Sequence, residues 1–343
     1  MSSIEVRRLA DNDGAYATPV ADTTRAFHLD ADMQHVLNVL DGMGGKPIEA
    51  CRAPEARAQP TLDMALRRIL RDGHDDMGVG MELRLIPGPT GEIRARVYAP
   101  LAKVDSPRPV ILYFHGGGFV LGDVDQYDAT PRSLAQRTGA VVVSSHYRQA
   151  PEHRFPAAHE DAFAAWRWLV EHAEALGGDV GRAAIVGEGS GGNLALNVAL
   201  RARDEGTTVP KHVGLVTPMA AMLFDLPSHL EVAASFPSNA ETLKWAARKL
   251  FRARDDMRDV RMNLAGRADL SGLPPVTVLL AEADPLRSEG EALADALRLS
   301  GVWVDMTLYQ GVTHGFFGLY QIVNKAMFAQ SQLARNLVLA FGD

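Results

Sequence analysis

Ala183-Ala184-Ile185-Val186-Gly187-Glu188-Gly189-Ser190-Gly191-Gly192-Asn193 is the stretch on which the fold turns. Residues 183–186 form a short, wholly apolar run of the kind that fits a parallel strand covered on both faces. The glycines that follow permit a sharp turn without Cβ obstruction. A mostly apolar stretch with helical character then runs over 193–203. Strand, sharp turn and helix are the setting of a nucleophile elbow, whose pattern is G-x-S-x-G. Gly187 and Gly191 match the outer glycines, but the central position is Gly189, and the serine, Ser190, comes one step late. Gly187, Gly189 and Gly192 also spell G-x-G-x-x-G, so a nucleotide-binding oxidoreductase is a remote alternative. Two facts count against it. Asp204 and Glu205 precede the next apolar run instead of ending it, and four or five strands come before a turn that normally opens its domain.

Outward from the turn, comparable apolar runs lie at 110–114, 140–144, 213–216, 276–280 and 304–308, with helical stretches at 157–175, 289–299 and 325–339. This alternation predicts an α/β fold, a mostly parallel central sheet flanked by helices with right-handed crossovers. Residues 81–86 and 93–98 alternate apolar and polar side chains around 87–91, which reads as a hairpin. The rhythm breaks in two places. Residues 1–75 start polar and irregular. They then place Met33, Val36, Leu37 and Leu40, and later Leu62, Met64, Leu66, Ile69 and Leu70, at helical spacing. Residues 218–273 are long, rich in Met and Phe, and helical around 241–251. The expected organisation is an N-terminal cap segment over 1–75, a core over 76–217, a cap insertion over 218–273 and the rest of the core over 274–343. Both cap parts are expected over the carboxyl ends of the strands, where open sheets bind ligands.

Three further places carry chemistry. His115-Gly116-Gly117-Gly118-Phe119 follows the strand at 110–114. It reads as a tight turn or as a loop that aims N–H groups at an anion. Asp284, just past the strand at 276–280 and before Pro285, reads as a helix cap or as an acid. His314, before Phe316 and Phe317, reads as a structural histidine or as a base. The order elbow, Asp284, His314, each after a successive strand, favours the chemical reading, because an acyl-transfer triad in such a fold runs nucleophile, acid, histidine. Histidine can take the nucleophile's proton and return it near neutral pH, and a carboxylate fixes its tautomer. Backbone N–H groups would hold the oxyanion.

Together these motifs resemble the hormone-sensitive-lipase-like family of α/β-hydrolases, the bacterial carboxylesterases. The resemblance runs from about residue 60 to the C-terminus. It also includes Tyr147-Arg148-Gln149-Ala150-Pro151-Glu152-His153-Arg154-Phe155-Pro156-Ala157-Ala158, in which Glu152 and Arg154 read as structural ion-pairing residues. It implies an α/β-hydrolase fold with a helical cap and a carboxylic ester substrate. Gly117, Gly118 and the N–H of Ser190 would form the oxyanion hole, with Asp284 and His314 as acid and base. Residue 189 would be the seat of a nucleophilic serine. Three readings of Gly189 stay open: a nucleophile-disabled variant of a serine enzyme, a naturally inactive relative that binds small esters, or rescue by Ser190 or a His314-activated water. Phe119, Met219, Met222 and Phe316 are candidate pocket walls. The resemblance also allows a homodimer through the last strand and its helix.

Composition narrows the classes. Apolar residues are 47% of the chain, and 35 basic against 42 acidic side chains give −7, so no affinity for nucleic acid is expected. No run of 18 apolar residues suggests a membrane span, and no secretory signal opens the chain, so a cytoplasmic protein is expected. Cys51 is the only cysteine, which excludes an internal disulfide; no metal or organic cofactor is implied. His74-Asp75-Asp76 and His159-Glu160-Asp161 read as solvated faces or loops, not metal cages.

Overall fold

The computed structural model describes residues 27–71, 78–222, 224–232 and 237–342. Before the sheet come α1 (Ala31–Asp41), α2 (Ala53–Arg57) and α3 (Leu62–Leu70). The Thr61 hydroxyl caps α3 by accepting the Met64 N–H. The sheet begins with β1 (Val79–Gly88) and β2 (Gly91–Pro100), the expected hairpin, and continues with β3 (Arg108–Phe114), α4 (Ala129–Thr138) and β4 (Val141–Ser145). Then follow α5 (Ala157–His172), β5 (Gly178–Glu188), α6 (Ser190–Asp204) and β6 (His212–Val216). Three helices come next: α7 (Pro227–Glu231), α8 (Ala240–Leu250) and α9 (Arg254–Met257). The chain closes with β7 (Val276–Ala283), α10 (Arg287–Leu299), β8 (Val304–Thr313) and α11 (Asn324–Phe341).

Among the described residues eight strands lie in the order β1-β2-β4-β3-β5-β6-β7-β8, and only the β1–β2 and β2–β4 pairs are antiparallel. From β3 the chain crosses to β4 on one side and then returns to β5 on the other. That reversal opens a crevice at the carboxyl ends of β3 and β5, the place where doubly wound sheets take ligands.

Period-two alternation explains why the inner strands are nearly all apolar. On β3, Leu112 and Phe114 face one core with Trp166 of α5, Leu194 of α6 and Leu293 of α10. Ile111 and Tyr113 face the other, with Met33 of α1, Leu134 of α4 and Leu333 of α11. A strand sandwiched this way leaves no face for polar residues, and each fully buried aliphatic side chain contributes roughly 1.5–3 kcal/mol.

Two expectations need correction. The sequence reading names no helix over 129–138, yet α4 forms there, with Pro131 in its first turn, where the missing N–H costs nothing. His159 and Asp161 are not solvated: they point into the protein from α5, at 6% and 1% exposure. His159 Nε2 meets Asn193 Oδ1 at 2.9 Å. Asp161 accepts from the Arg148 N–H at 2.8 Å and from the Arg148 guanidinium at 2.7 Å. His74-Asp75-Asp76 lies outside the described residues. Among the described residues no helix is long and apolar enough to cross a membrane, and no group of three His, Cys, Asp or Glu is placed to hold a metal ion.

Candidate active site

The turn between β5 and α6 puts residue 189 at its apex. Gly189 has φ 53° and ψ −117°, a backbone shape that strains any residue with a side chain. Its neighbours hold it there. The Gly189 N–H donates to Val216 O at 2.9 Å, and Gly189 O accepts from the N–H groups of Gly192 and Met219 at 3.0 Å each. The other elbow glycines are needed for space. A Cβ on Gly187 would overlap the Gly191 carbonyl, one on Gly191 would overlap the Phe114 carbonyl, and one on Gly192 would press on Pro218 at 3.0 Å. Gly189 differs. A Cβ there would meet nothing closer than His314 Cε1 at 3.7 Å, with Gly116 Cα and His314 Nε2 at 3.8 Å.

Asp284 and His314 lie side by side. Asp284 follows β7 directly and is fully buried. Its Oδ1 accepts the Leu286 N–H at 2.8 Å, which leaves Oδ2 aimed at His314 Nδ1, 2.9 Å away. His314 follows β8, and Gly315 at φ 78° turns the chain away. Burial alone would lower the imidazole pKa, but the Asp284 charge and hydrogen bond, helped by the Glu188 charge, bring it above its ordinary value. With Nδ1 committed to Asp284, Nε2 is the nitrogen left facing the space over Gly189.

The glycine loop after β3 stands opposite. Gly117 at φ 113° and Gly118 at φ 61° adopt conformations that favour glycine, and a Cβ on Gly117 would overlap the Leu121 carbonyl. Gly117 O accepts from the Leu121 N–H at 2.8 Å, so the loop closes on its own backbone. Residues of the 147–158 segment brace it. Tyr147 donates to His115 O at 2.9 Å and stacks on the His115 ring at 4.4 Å. Burial and the nearby His146 ring push His115 down to about 3, so it stays neutral. Arg57 donates to Val120 O at 2.9 Å and to Ala150 O at 2.8 Å while pairing with Glu152 at 2.7 Å. Arg154 donates to Phe251 O at 3.0 Å, a carbonyl rather than the expected acid.

These parts share one cavity of about 240 Å³, lined by Gly117, Gly118, Gly189, Ser190, His314 and Met219. Leu62 and Leu66 of α3 wall it from one side, and Leu243 and Trp245 of α8 from another. Both segments expected to form a cap therefore contribute to it. Three candidate pocket residues do not line it. Phe119, at φ 63°, turns its ring into the core against His159, at a 5.5 Å centroid distance. Met222 packs in the same core, and Phe316 is buried in the core on the opposite face of the sheet, beside Phe317. At Phe119 and Phe316 the chain turns at positive φ next to a site residue, so sequence proximity misleads. The Ser190 side chain is buried, and its Oγ lies 3.3 Å from the Tyr147 hydroxyl.

The sequence reading passed over Glu188. This buried side chain accepts from the Tyr113 hydroxyl at 2.6 Å and the Thr130 hydroxyl at 2.8 Å and ties β3, α4 and the elbow together. Burial raises its pKa, against the pull of those donors. Its position directly before the apex was the available signal.

A family model described as the alpha/beta hydrolase fold matches residues 111–318. The chain belongs to that family. Esterase LipI of Mycobacterium tuberculosis is 39% identical to this α/β-hydrolase over 281 residues, 78% of this chain and 85% of its own. Ethyl acetate hydrolase of Pseudomonas putida is 35% identical over 284 residues, 82% of this chain and 88% of its own. The solved esterase of Pyrobaculum calidifontis superposes with a TM-score of 0.80 at 35% identity, covering 90% of this chain and 98% of that one. Relatives of this kind place the α/β-hydrolase among the hormone-sensitive-lipase-like carboxylesterases, as its motifs suggested.

Proposed function

We propose that the site is built to hydrolyse carboxylic esters through a hydroxyl at residue 189, and that with glycine there the protein binds esters but turns them over at or near background. One observation carries the reading: among the elbow glycines 187, 189, 191 and 192, only Gly189 leaves free room for a side chain, and that room faces His314 Nε2. With serine at 189, Nε2 takes the hydroxyl proton as oxygen attacks the acyl carbon. The carbonyl oxygen, now negative, accepts hydrogen bonds from the N–H groups of Gly117, Gly118 and Ser190. The leaving alcohol departs with the proton from His314, and water repeats the sequence on the acyl-enzyme. Asp284 keeps His314 in the required tautomer and stabilises its charged form. No cofactor enters.

The test is Gly189→Ser and, separately, Ser190→Ala, each assayed on a short-chain aryl ester. Hydrolysis appearing with Gly189→Ser supports the assignment. Background activity in Gly189→Ser, with loss of an existing activity in Ser190→Ala, overturns it. Glycine at the apex also favours a second reading, a binding protein for small esters; affinity without turnover even in Gly189→Ser would establish that instead. A homodimer is part of the proposal too, supported by the exposed Trp303 beside β8 and the exposed Phe328 and Leu339 on α11.

A further inference from the structure

We infer that the leaving-group side of the cavity is built for a cation, so that the preferred substrates are esters of amino alcohols, with Glu188 as the residue that selects them. This deepens the proposed function and rests on it for the orientation of the ester.

Glu188 is only 5% exposed, and both hydroxyls that donate to it use one oxygen: Oε1 accepts from Tyr113 at 2.6 Å and from Thr130 at 2.8 Å. Among the described residues Oε2 accepts no hydrogen bond, and no lysine or arginine pairs with the carboxylate. The side chain lines the cavity, which leaves Oε2 as the oxygen open to a ligand. A carboxylate buried this far is ordinarily paired with a cation. Here the folded chain supplies two neutral donors and leaves the cation out. The anion is therefore desolvated before any ligand arrives, and an entering cation gains its attraction without stripping water from its partner. Burial disfavours the ionised form of Glu188 and the two hydroxyls favour it; a cation beside it favours it further.

The place of Glu188 in the cavity decides which half of the ester carries the charge. His314 Nε2 returns its proton to the departing alcohol, so the alcohol lies on the His314 side. Glu188 is on that side too, and its charge acts on the His314 ring. Gly315 and Gly318, in the turn after His314, line the cavity, and a Cβ on Gly318 would sit 3.6 Å from Thr130 Oγ1, the hydroxyl that donates to Glu188. Tyr127 extends this wall. Its hydroxyl makes no hydrogen bond among the described residues, and it lies against the Gly116 backbone, 2.8 Å from where a Cβ on Gly116 would be. An aromatic ring beside a carboxylate is the chemistry that recognises an ammonium group. Leu62 and Leu319 border the same space. They suit the methyl groups of a quaternary nitrogen and would leave the N–H donors of a primary ammonium short of acceptors.

The experiment titrates the full chain, with glycine at 189, by calorimetry against acetylcholine and against 3,3-dimethylbutyl acetate, which has the same shape with carbon in place of the charged nitrogen. Acetylcholine is expected to bind at least about tenfold more tightly, the low end for a close pair of opposite charges. Equal affinity of the parent chain for the two esters overturns the inference without any variant. Glu188→Gln still accepts from Tyr113 and Thr130 but carries no charge, and in it the preference should disappear; thermal unfolding shows whether it folds. A merely structural role for Glu188 would weaken both esters together and leave their ratio unchanged, which overturns the inference. Glu188→Asp keeps the charge and should keep a preference, so the outcome does not hang on the fold of one variant. In Gly189→Ser the preference should appear in kcat/KM, and methyl trimethylammonioacetate, with its cation on the acyl half, should not share it; an equal gain for that ester overturns the assignment to the leaving group. Hydrolysis of a neutral aryl ester by Gly189→Ser, with no preference for acetylcholine in the parent chain, ends the inference and leaves the proposed function standing. Failure of Gly189→Ser beside a preference that Glu188→Gln removes keeps the cation site and ends the proposed function.

Discussion

Alanine placed in turn at Gly187, Gly189 and Gly191 tests whether the elbow has one open position. At Gly189 the added methyl makes only contacts of 3.7–3.8 Å, so the cost is that of holding an L-residue at φ 53° and ψ −117°. Residues in such sparsely populated conformations cost about 1–3 kcal/mol. At Gly187 and Gly191 the methyl overlaps carbonyl oxygens of Gly191 and Phe114. Neither oxygen can withdraw easily, since Phe114 pairs with Gly187 and Ser145 in the sheet and Gly191 opens α6. Losses there should exceed ~4–5 kcal/mol, the range of exceptional substitutions, out of a total stability on the order of 5–15 kcal/mol. Urea unfolding followed by the fluorescence of the buried Trp166 reads the difference. Gly189→Ala should shift the midpoint modestly, whereas Gly187→Ala and Gly191→Ala should unfold in little or no urea. If Gly187→Ala proves as stable as Gly189→Ala, residue 189 is not a special position and the assignment of the nucleophile's seat loses its support.

In the Gly189→Ser background, Asp284→Asn should reduce kcat by about 10⁴-fold, the effect of a misdirected imidazole tautomer; a loss under tenfold in steady-state assays would remove Asp284 from its positioning role. The same background should show kcat/KM rising with pH through a midpoint above histidine's ordinary 6.5, since the base must be unprotonated and Asp284 favours the charged form; a pH-rate profile with its midpoint below 6 would contradict this. Burial pulls His115 down to about 3 and His159 to about 4. Their folded pKa values lie below the unfolded one, so their contribution is complete above about 6.5 and lost as pH falls towards the folded values. His314 works in the opposite sense, and urea midpoints taken from pH 7 to pH 4 should nevertheless fall. Asp161→Asn should cost ~3 kcal/mol, the low end for breaking a buried ion pair, because Arg148 is 23% exposed and water can reach it; equilibrium unfolding checks it.

The inner part of the sheet was legible because its strands are buried on both faces. Residues 110–114 and 276–280 could hardly be read otherwise, and the hairpin announced itself by alternation. Where burial is carried by small or polar side chains, the pattern disappeared. The buried residues of α4 are Ala129, Thr130, Pro131, Ser133, Leu134, Ala135 and Thr138, mostly small or polar and with Leu134 as the one large apolar side chain, so no apolar stripe stands out. His159 and Asp161 looked like surface because their partners, Asn193 and Arg148, are distant in sequence or on another element. The candidate site was legible in its order along the chain, elbow, Asp284, His314, and the structure brings these residues together. The cavity wall was not. Phe119 and Phe316 adjoin the glycine loop and His314 in sequence, but turns at positive φ send them into the two cores, while Leu62, Leu243 and Trp245 arrive from segments with no motif.

The apex of the elbow owes its shape to its hydrogen bonds with Val216, Gly192 and Met219 and to the crowding of the flanking glycines, not to anything attached at 189 itself. Such a turn works as a socket. A thiol or carboxylate installed by one codon change would be presented to the same imidazole at the same angle. The reaction is then an exchangeable fitting, and the binding cavity around it is the part that a lineage must build slowly.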